Sequence, residues 1–117
     1  MSDTRLRLFK GTFDVLVLKT LSWGPAHGYA ISRWIRQSSD DDLKIEEGAL
    51  YPALRRLEER GLIASQWQRV AETGREARVY TLTAAGSSAL RTEIAAWQRY
   101  VTAFARVLEA RPERALA

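Results

Sequence analysis

The sequence predicts a mostly helical α+β chain: three helices, a β-hairpin and a long fourth helix. Three observations carry this. Apolar residues recur at helical spacing in four separate segments. A polar, glycine-containing loop divides two strand-like runs, 62–70 and 78–83. From Leu90 to Leu108, apolar side chains return every three or four residues along one stripe.

The first helix is read from GTFDVLVLKTLSW, residues 11–23, with Gly11 and Thr12 as its cap and Asp14 in its opening turn. Phe13, Leu16, Val17 and Leu21 mark one face, and Val15 and Leu18 mark another, so the helix is expected to be covered on two sides. Gly24 and Pro25 break the chain. A second helix follows over 27–38, with Ile31, Trp34 and Ile35 inward and Tyr29, Arg33 and Arg36 away from them. The polar loop SSDDD comes next, and Leu43 to Ile45 is read as a short edge strand.

The third helix lies in EEGALYPALRRLEERGLI, from Glu46. Proline costs little where backbone N–H groups have no intrahelical partner, so Pro52 puts the helix start near Gly48 to Tyr51. Leu50, Leu54 and Leu57 face the core, and Gly61 is a left-handed C-cap. In the hairpin, Ala71 to Glu76 forms the loop, and Ile63, Trp67, Val79 and Leu82 are the expected packers. Thr83 then caps the long helix. Its stripe is Leu90, Ile94, Trp97, Val101, Phe104 and Leu108. A helix of about 25 residues is roughly 38 Å long, longer than a compact domain built from the rest. The stripe either folds back on its own core or meets a twin, and a homodimer is the expected outcome.

Composition narrows the function. There is no cysteine among the 117 residues, which removes disulfide scaffolds, zinc ribbons and thiol nucleophiles. His27 is the sole histidine, and no GxGxxG, no Walker-type loop and no metal-ligand spacing accompanies it, so no enzyme and no cofactor or metal is expected. No apolar run approaches the about 20 residues of a membrane span, and MSDTRLRLFK has no long apolar stretch of a leader, so a cytoplasmic protein without a membrane partner is expected. The net charge of +4, nearly all from arginine on the positive side, permits nucleic-acid binding; high genomic G+C content also enriches arginine.

Helix, helix, helix, hairpin, long helix is the order of a winged helix-turn-helix domain, here 1–83, followed by a C-terminal dimerisation helix, 84–117. In that architecture the third helix enters the major groove of double-stranded DNA. Opposite its leucines it shows Tyr51, Pro52, Arg55 and Arg56. These either reach DNA, or the arginines pair with Glu58 and Glu59 on a solvated face. The hairpin tip adds Arg75 and Arg78, as a DNA-touching wing or as an ordinary polar loop. From Lys44 to Thr83 seven cations meet six anions, so DNA affinity needs the charges segregated to one face and doubled by a dimer.

Four stretches, GTFDVLVLKTL, GPAHGYAI, EEGALYPALRRLEERGLI and VYTLTAAG, resemble in order and spacing the PadR family of bacterial transcriptional regulators, in its smaller subgroup with a single C-terminal helix. The resemblance runs from Gly11 to Gly86. It implies a homodimeric repressor that binds an inverted repeat in a promoter and leaves when an effector binds. It maps recognition-helix contacts onto Tyr51, Pro52, Arg55 and Arg56, and phosphate-side contacts onto His27, Gly28 and Tyr29. The wing departs from the family pattern. Arg75-Glu76-Ala77-Arg78 replaces a run of consecutive basic residues, and Val79 stands where an aromatic is common. The resemblance also suggests a small hydrophobic or aromatic effector beside Trp97, Tyr100 and Phe104; alternatively these rings fill the dimer core. The other class of function is a winged-helix protein-interaction module without specific DNA reading, an alternative that the acidic loop Asp40 to Asp42 and the near-neutral recognition region leave open.

Overall fold

The computed structural model describes residues 12–113. Among them are α1 (Thr12–Leu21), β1 (Ala26–His27), α2 (Gly28–Ser38), α3 (Glu47–Glu59), β2 (Ile63–Arg69), β3 (Glu76–Leu82) and α4 (Ala84–Glu109). The predicted α+β, mostly helical architecture is the observed one. The cap assigned to Gly11 lies outside the described residues.

One cluster makes the core. Val17, Leu18 and Leu21 of α1, Ile31 and Ile35 of α2, and Leu50, Leu54 and Leu57 of α3 converge with Ile63, Tyr80 and Leu90. Each such buried aliphatic side chain is worth about 1.5–3 kcal/mol over its exposed state. Phe13, Val15 and Leu16 pack around the cluster, so the second face of α1 is partly covered by the same chain. Trp34, expected inward, is at the edge: Ile31 and Ile35 belong to the core cluster, and Trp34 is 36 % exposed.

The sheet is antiparallel with order β1-β3-β2. Its third strand is not Leu43–Ile45, which is irregular. Ile45 there turns its side chain into the core, so those residues anchor the chain before α3 instead of pairing. The edge strand is Ala26–His27, opposite Tyr80 and Val79. The hairpin register runs from Ile63↔Leu82 to Arg69↔Glu76. Its loop is therefore Val70 to Arg75, one residue earlier than the sequence suggested, with Gly74 at φ +70°. Ile63 and Val79 are buried as expected, and Leu82 is partly so. Trp67 is 64 % exposed because that part of the hairpin projects beyond the core. Tyr80 takes the inward place instead.

Helix α3 begins earlier than Pro52 suggested. Glu46, extended at φ −74° and ψ 145°, is the N-cap, and Leu50 N donates to its carbonyl at 3.0 Å. Pro52 consequently lies in the second turn, where it withholds the N–H that Gly48 O would accept. The burial of Leu50, Ala53, Leu54 and Leu57 offsets that loss. At the far end, Leu62 N donates to Leu57 O and Gly61 N to Glu58 O, both at 3.0 Å, with Gly61 at φ +75°. That is a Schellman cap with glycine in the left-handed position. A Cβ on Gly61 would meet nothing within 4 Å, so only backbone strain opposes a side chain. Gly61→Ala should cost about 1 kcal/mol in a urea titration; an unchanged midpoint would contradict the cap.

Helix α4 opens on Thr83, whose Oγ1 accepts from Gly86 N at 3.0 Å and donates to Gly61 O at 2.7 Å. Leu90 is buried in the chain's own core and Ile94 packs beside it. Beyond Ile94 the helix leaves the domain, within overall extents of 64 × 38 × 21 Å.

Candidate nucleic-acid interface

The leucine face of α3 fixes which side chains it presents outward. Tyr51 and Arg55, one turn apart, are both exposed. The Tyr51 ring crosses the start of α2: a Cβ on Gly28 would lie 2.9 Å from Tyr51 Oη and 3.1 Å from Cε1. Gly28 thus lets the two helices approach and supports the ring that α3 displays. Glu46 and Glu47 stand at the start of α3, where the helix dipole favours negative charge.

The two arginines of α3 differ. Arg56 Nη2 donates to Asp14 Oδ1 at 3.2 Å, and Arg60 approaches the other oxygen at 4.0 Å. Asp14 is largely covered, so Arg56 is turned toward α1 and braces the two helices. Arg55 has no ion-pair partner among the described residues. The arginine–glutamate pairing along α3 that the sequence allowed is absent among the described residues; Glu58 instead accepts from Ser65 Oγ at 2.7 Å.

At the start of α2, His27 is the N-cap, its Nδ1 accepting from Ala30 N at 3.3 Å. Tyr29 is exposed, with its ring parallel to that of His27 at 6.4 Å. The Arg33 guanidinium stands 5.2 Å over Tyr29. From the hairpin loop, Glu72 reaches this group: Oε1 is 3.7 Å from His27 Nε2 and Oε2 is 3.4 Å from Arg33 Nη2.

The wing separates the two arginines that the sequence placed together. Arg75 is at the tip. Arg78 is inside β3, paired in register with Trp67, because β3 starts at Glu76. Its Nε donates to Ser65 Oγ at 2.9 Å, and its guanidinium lies 5.5 Å over the Trp67 ring. Arg69 takes a place at the tip, donating to Gly74 O at 2.6 Å. Burial pushes the Tyr80 phenol above its ordinary pKa, and the nearby Arg78 cation opposes that shift. Sequence reasoning missed Asp14, Glu72, Trp67 and Arg69 here. Asp14 and Arg56 are 42 residues apart, and no local period reports such a pairing.

Along α4, Trp97, Tyr100, Val101, Phe104 and Leu108 are all exposed. The Trp97 and Tyr100 rings are 5.5 Å apart, and Tyr100 and Phe104 are 5.8 Å apart, in a near-parallel ladder. The stripe read as one seam is therefore divided. Leu90 and Ile94 serve the domain core, and the open part begins at Trp97. No described helix is long and apolar enough to cross a membrane.

A family model described as the transcriptional regulator PadR-like family matches residues 17–92, which include α2, α3, the hairpin and the start of α4. The chain belongs to this family. Solved PadR-like relatives share the architecture. A PadR family transcriptional regulator from Eggerthella lenta aligns with a TM-score of 0.72 at 34 % identity, over 87 % of this chain and 86 % of that one. A transcriptional regulator from Clostridium thermocellum gives 0.74 at 30 % identity, over 83 % and 90 %. A transcriptional regulator from Mycobacterium tuberculosis is 47 % identical over 58 residues, covering 49 % of this chain and 52 % of its own length. As a PadR-like transcriptional regulator, this chain carries the winged helix of the family with a C-terminal helix.

Proposed function

We propose that this PadR-like regulator acts in the cytoplasm as a homodimeric repressor, without catalytic activity, that binds an inverted repeat in a promoter and is released by an effector. Residues 1–83 serve as the DNA-binding unit and 84–117 as the dimerisation helix. The observation that carries the reading is the outward face of α3, with Tyr51 seated on Gly28 and Arg55 beside it. Helix α3 enters the major groove with this face. Gly28 and the His27 cap bring the start of α2 to the phosphates, Tyr29 lies alongside, and Pro52 and Arg75 complete the contact. The open part of α4 joins two copies, which sets two recognition helices at a fixed spacing. The aromatic ladder Trp97, Tyr100 and Phe104 is where a flat hydrophobic effector would stack.

The test is a salt-titrated gel shift on DNA from upstream of the chain's own gene, against a scrambled competitor. A specific complex of one dimer per site, weakening steeply with salt, is expected. Equal binding to both DNAs would overturn the reading. Within that assay Arg55→Ala should weaken specific binding by about 1–3 kcal/mol, the range of a bidentate base contact. Arg56→Ala should weaken it less, because Asp14 already holds that guanidinium. The reverse order would give the base contact to Arg56.

A further inference from the structure

The group around Glu72 has a chemistry that the recognition helix does not use. Two donors, Arg33 Nη2 of α2 and Nε2 of its N-cap His27, converge on one carboxylate from the hairpin loop. His27 gives its Nδ1 to the Ala30 N–H, which leaves the hydrogen on Nε2, on the side of Glu72. Tyr29 underlies the Arg33 guanidinium and holds its plane. The contacts to Glu72 are long, 3.4 and 3.7 Å, and the carboxylate itself is 59 % exposed. An exposed pair of this kind is weak. A phosphate offers the same acceptor geometry with more charge, and a guanidinium fork can bind it with two hydrogen bonds. The group also adjoins Gly28, on which Tyr51 rests, so it borders the face proposed to meet DNA.

We propose that Arg33 and His27 form a seat for a DNA backbone phosphate, and that Glu72 occupies this seat in the free protein and is displaced by the phosphate. Glu72 then acts as an internal competitor: every DNA complex must first release the wing carboxylate from α2. The inference rests on the DNA-reading function proposed above. It assigns to Arg33 a phosphate contact and to Glu72 a restraint on affinity.

The experiment is a mutant cycle measured by the same gel shift. Glu72→Gln keeps the shape and removes the charge. It should tighten binding of the specific DNA by roughly two- to fivefold, the scale of one exposed ion pair. Arg33→Gln should weaken binding and lower the salt dependence by about one phosphate contact. In the double variant most of the gain from Glu72→Gln should vanish, because only His27 of the seat is left. A gain that persists in full without Arg33 would mean that Glu72 acts only through net charge, and the proposal would fail. Weaker binding by Glu72→Gln would make Glu72 a brace that positions the wing, and would also overturn it. Both failures differ from a failure of the DNA reading, in which wild type itself forms no specific complex.

Discussion

Gly86→Ala should destabilise the fold by about 3 kcal/mol or more. A glycine in the first turn of a helix ordinarily weakens it, and alanine there ordinarily helps. Here the sign reverses because of what lies opposite. A Cβ on Gly86 would run into the Leu62 carbonyl oxygen and would come within 2.8 Å of Leu82 Cδ1 and 2.9 Å of Leu62 C. The first two obstacles differ in kind. Leu82 can rotate, but the Leu62 carbonyl is backbone and accepts from Thr83 N at 3.1 Å. Relief therefore requires the start of α4 to move off the Gly61–Leu62 turn, which breaks the bonds from Thr83 N to Leu62 O and from Thr83 Oγ1 to Gly61 O. Gly48→Ala is the control. It lies in the first turn of α3 with nothing within 4 Å of the added Cβ, and it should stabilise by about 0.5–1 kcal/mol. Urea unfolding of the two variants checks both signs. A Gly86→Ala protein within about 1 kcal/mol of wild type would mean that the junction can open at little cost.

Val101→Glu combined with Phe104→Glu should convert the proposed dimer to a monomer without unfolding the domain. Both side chains are about half exposed in the single chain, at 47 % and 53 %, and neither belongs to its core cluster. Truncating one well-packed interface aromatic commonly costs about 2 kcal/mol or more. Two-fold symmetry counts each substitution twice and sets four carboxylates against one another. The dissociation constant should rise by at least about a hundredfold, as read by sedimentation equilibrium. The variant should still unfold cooperatively in urea, at a midpoint that no longer depends on protein concentration, and specific DNA binding should fall with the dimer. A double variant that remains dimeric would remove Val101 and Phe104 from the interface.

Much of this architecture is legible in the sequence because it rests on local periods. The leucines of α3, the left-handed Gly61, the Thr83 cap and the stripe of α4 each announce themselves within one or two turns. The rest depends on partners far along the chain. Strand β1 has two residues, too few for any alternation, while Leu43–Ile45 alternates apolar, charged, apolar as a strand does and yet serves as an anchor. Trp67 obeys the alternation of its strand but lies where the hairpin has outrun the core, so its face has nothing to pack against. For the site, Tyr51 and Arg55 follow from the leucine face. That Arg56 is committed to Asp14, and Arg33 and His27 to Glu72, could not be read from spacing.

The junction of Gly61, Leu62, Thr83 and Gly86 also bears on how relatives of this chain can differ in length. The strand ends at Ile63 and Leu82 are clamped there by hydrogen bonds from both sides, and pairing then runs unbroken to Arg69 and Glu76. One residue inserted between Gly61 and Ile63 would turn Ile63 outward and Ala64 inward, and so on down the strand. The same residue inserted between Val70 and Arg75 leaves every pair in place and only lengthens the tip. Insertions and deletions should therefore gather in the wing loop and be excluded from the junction: the wing is free to change its reach but not its phase.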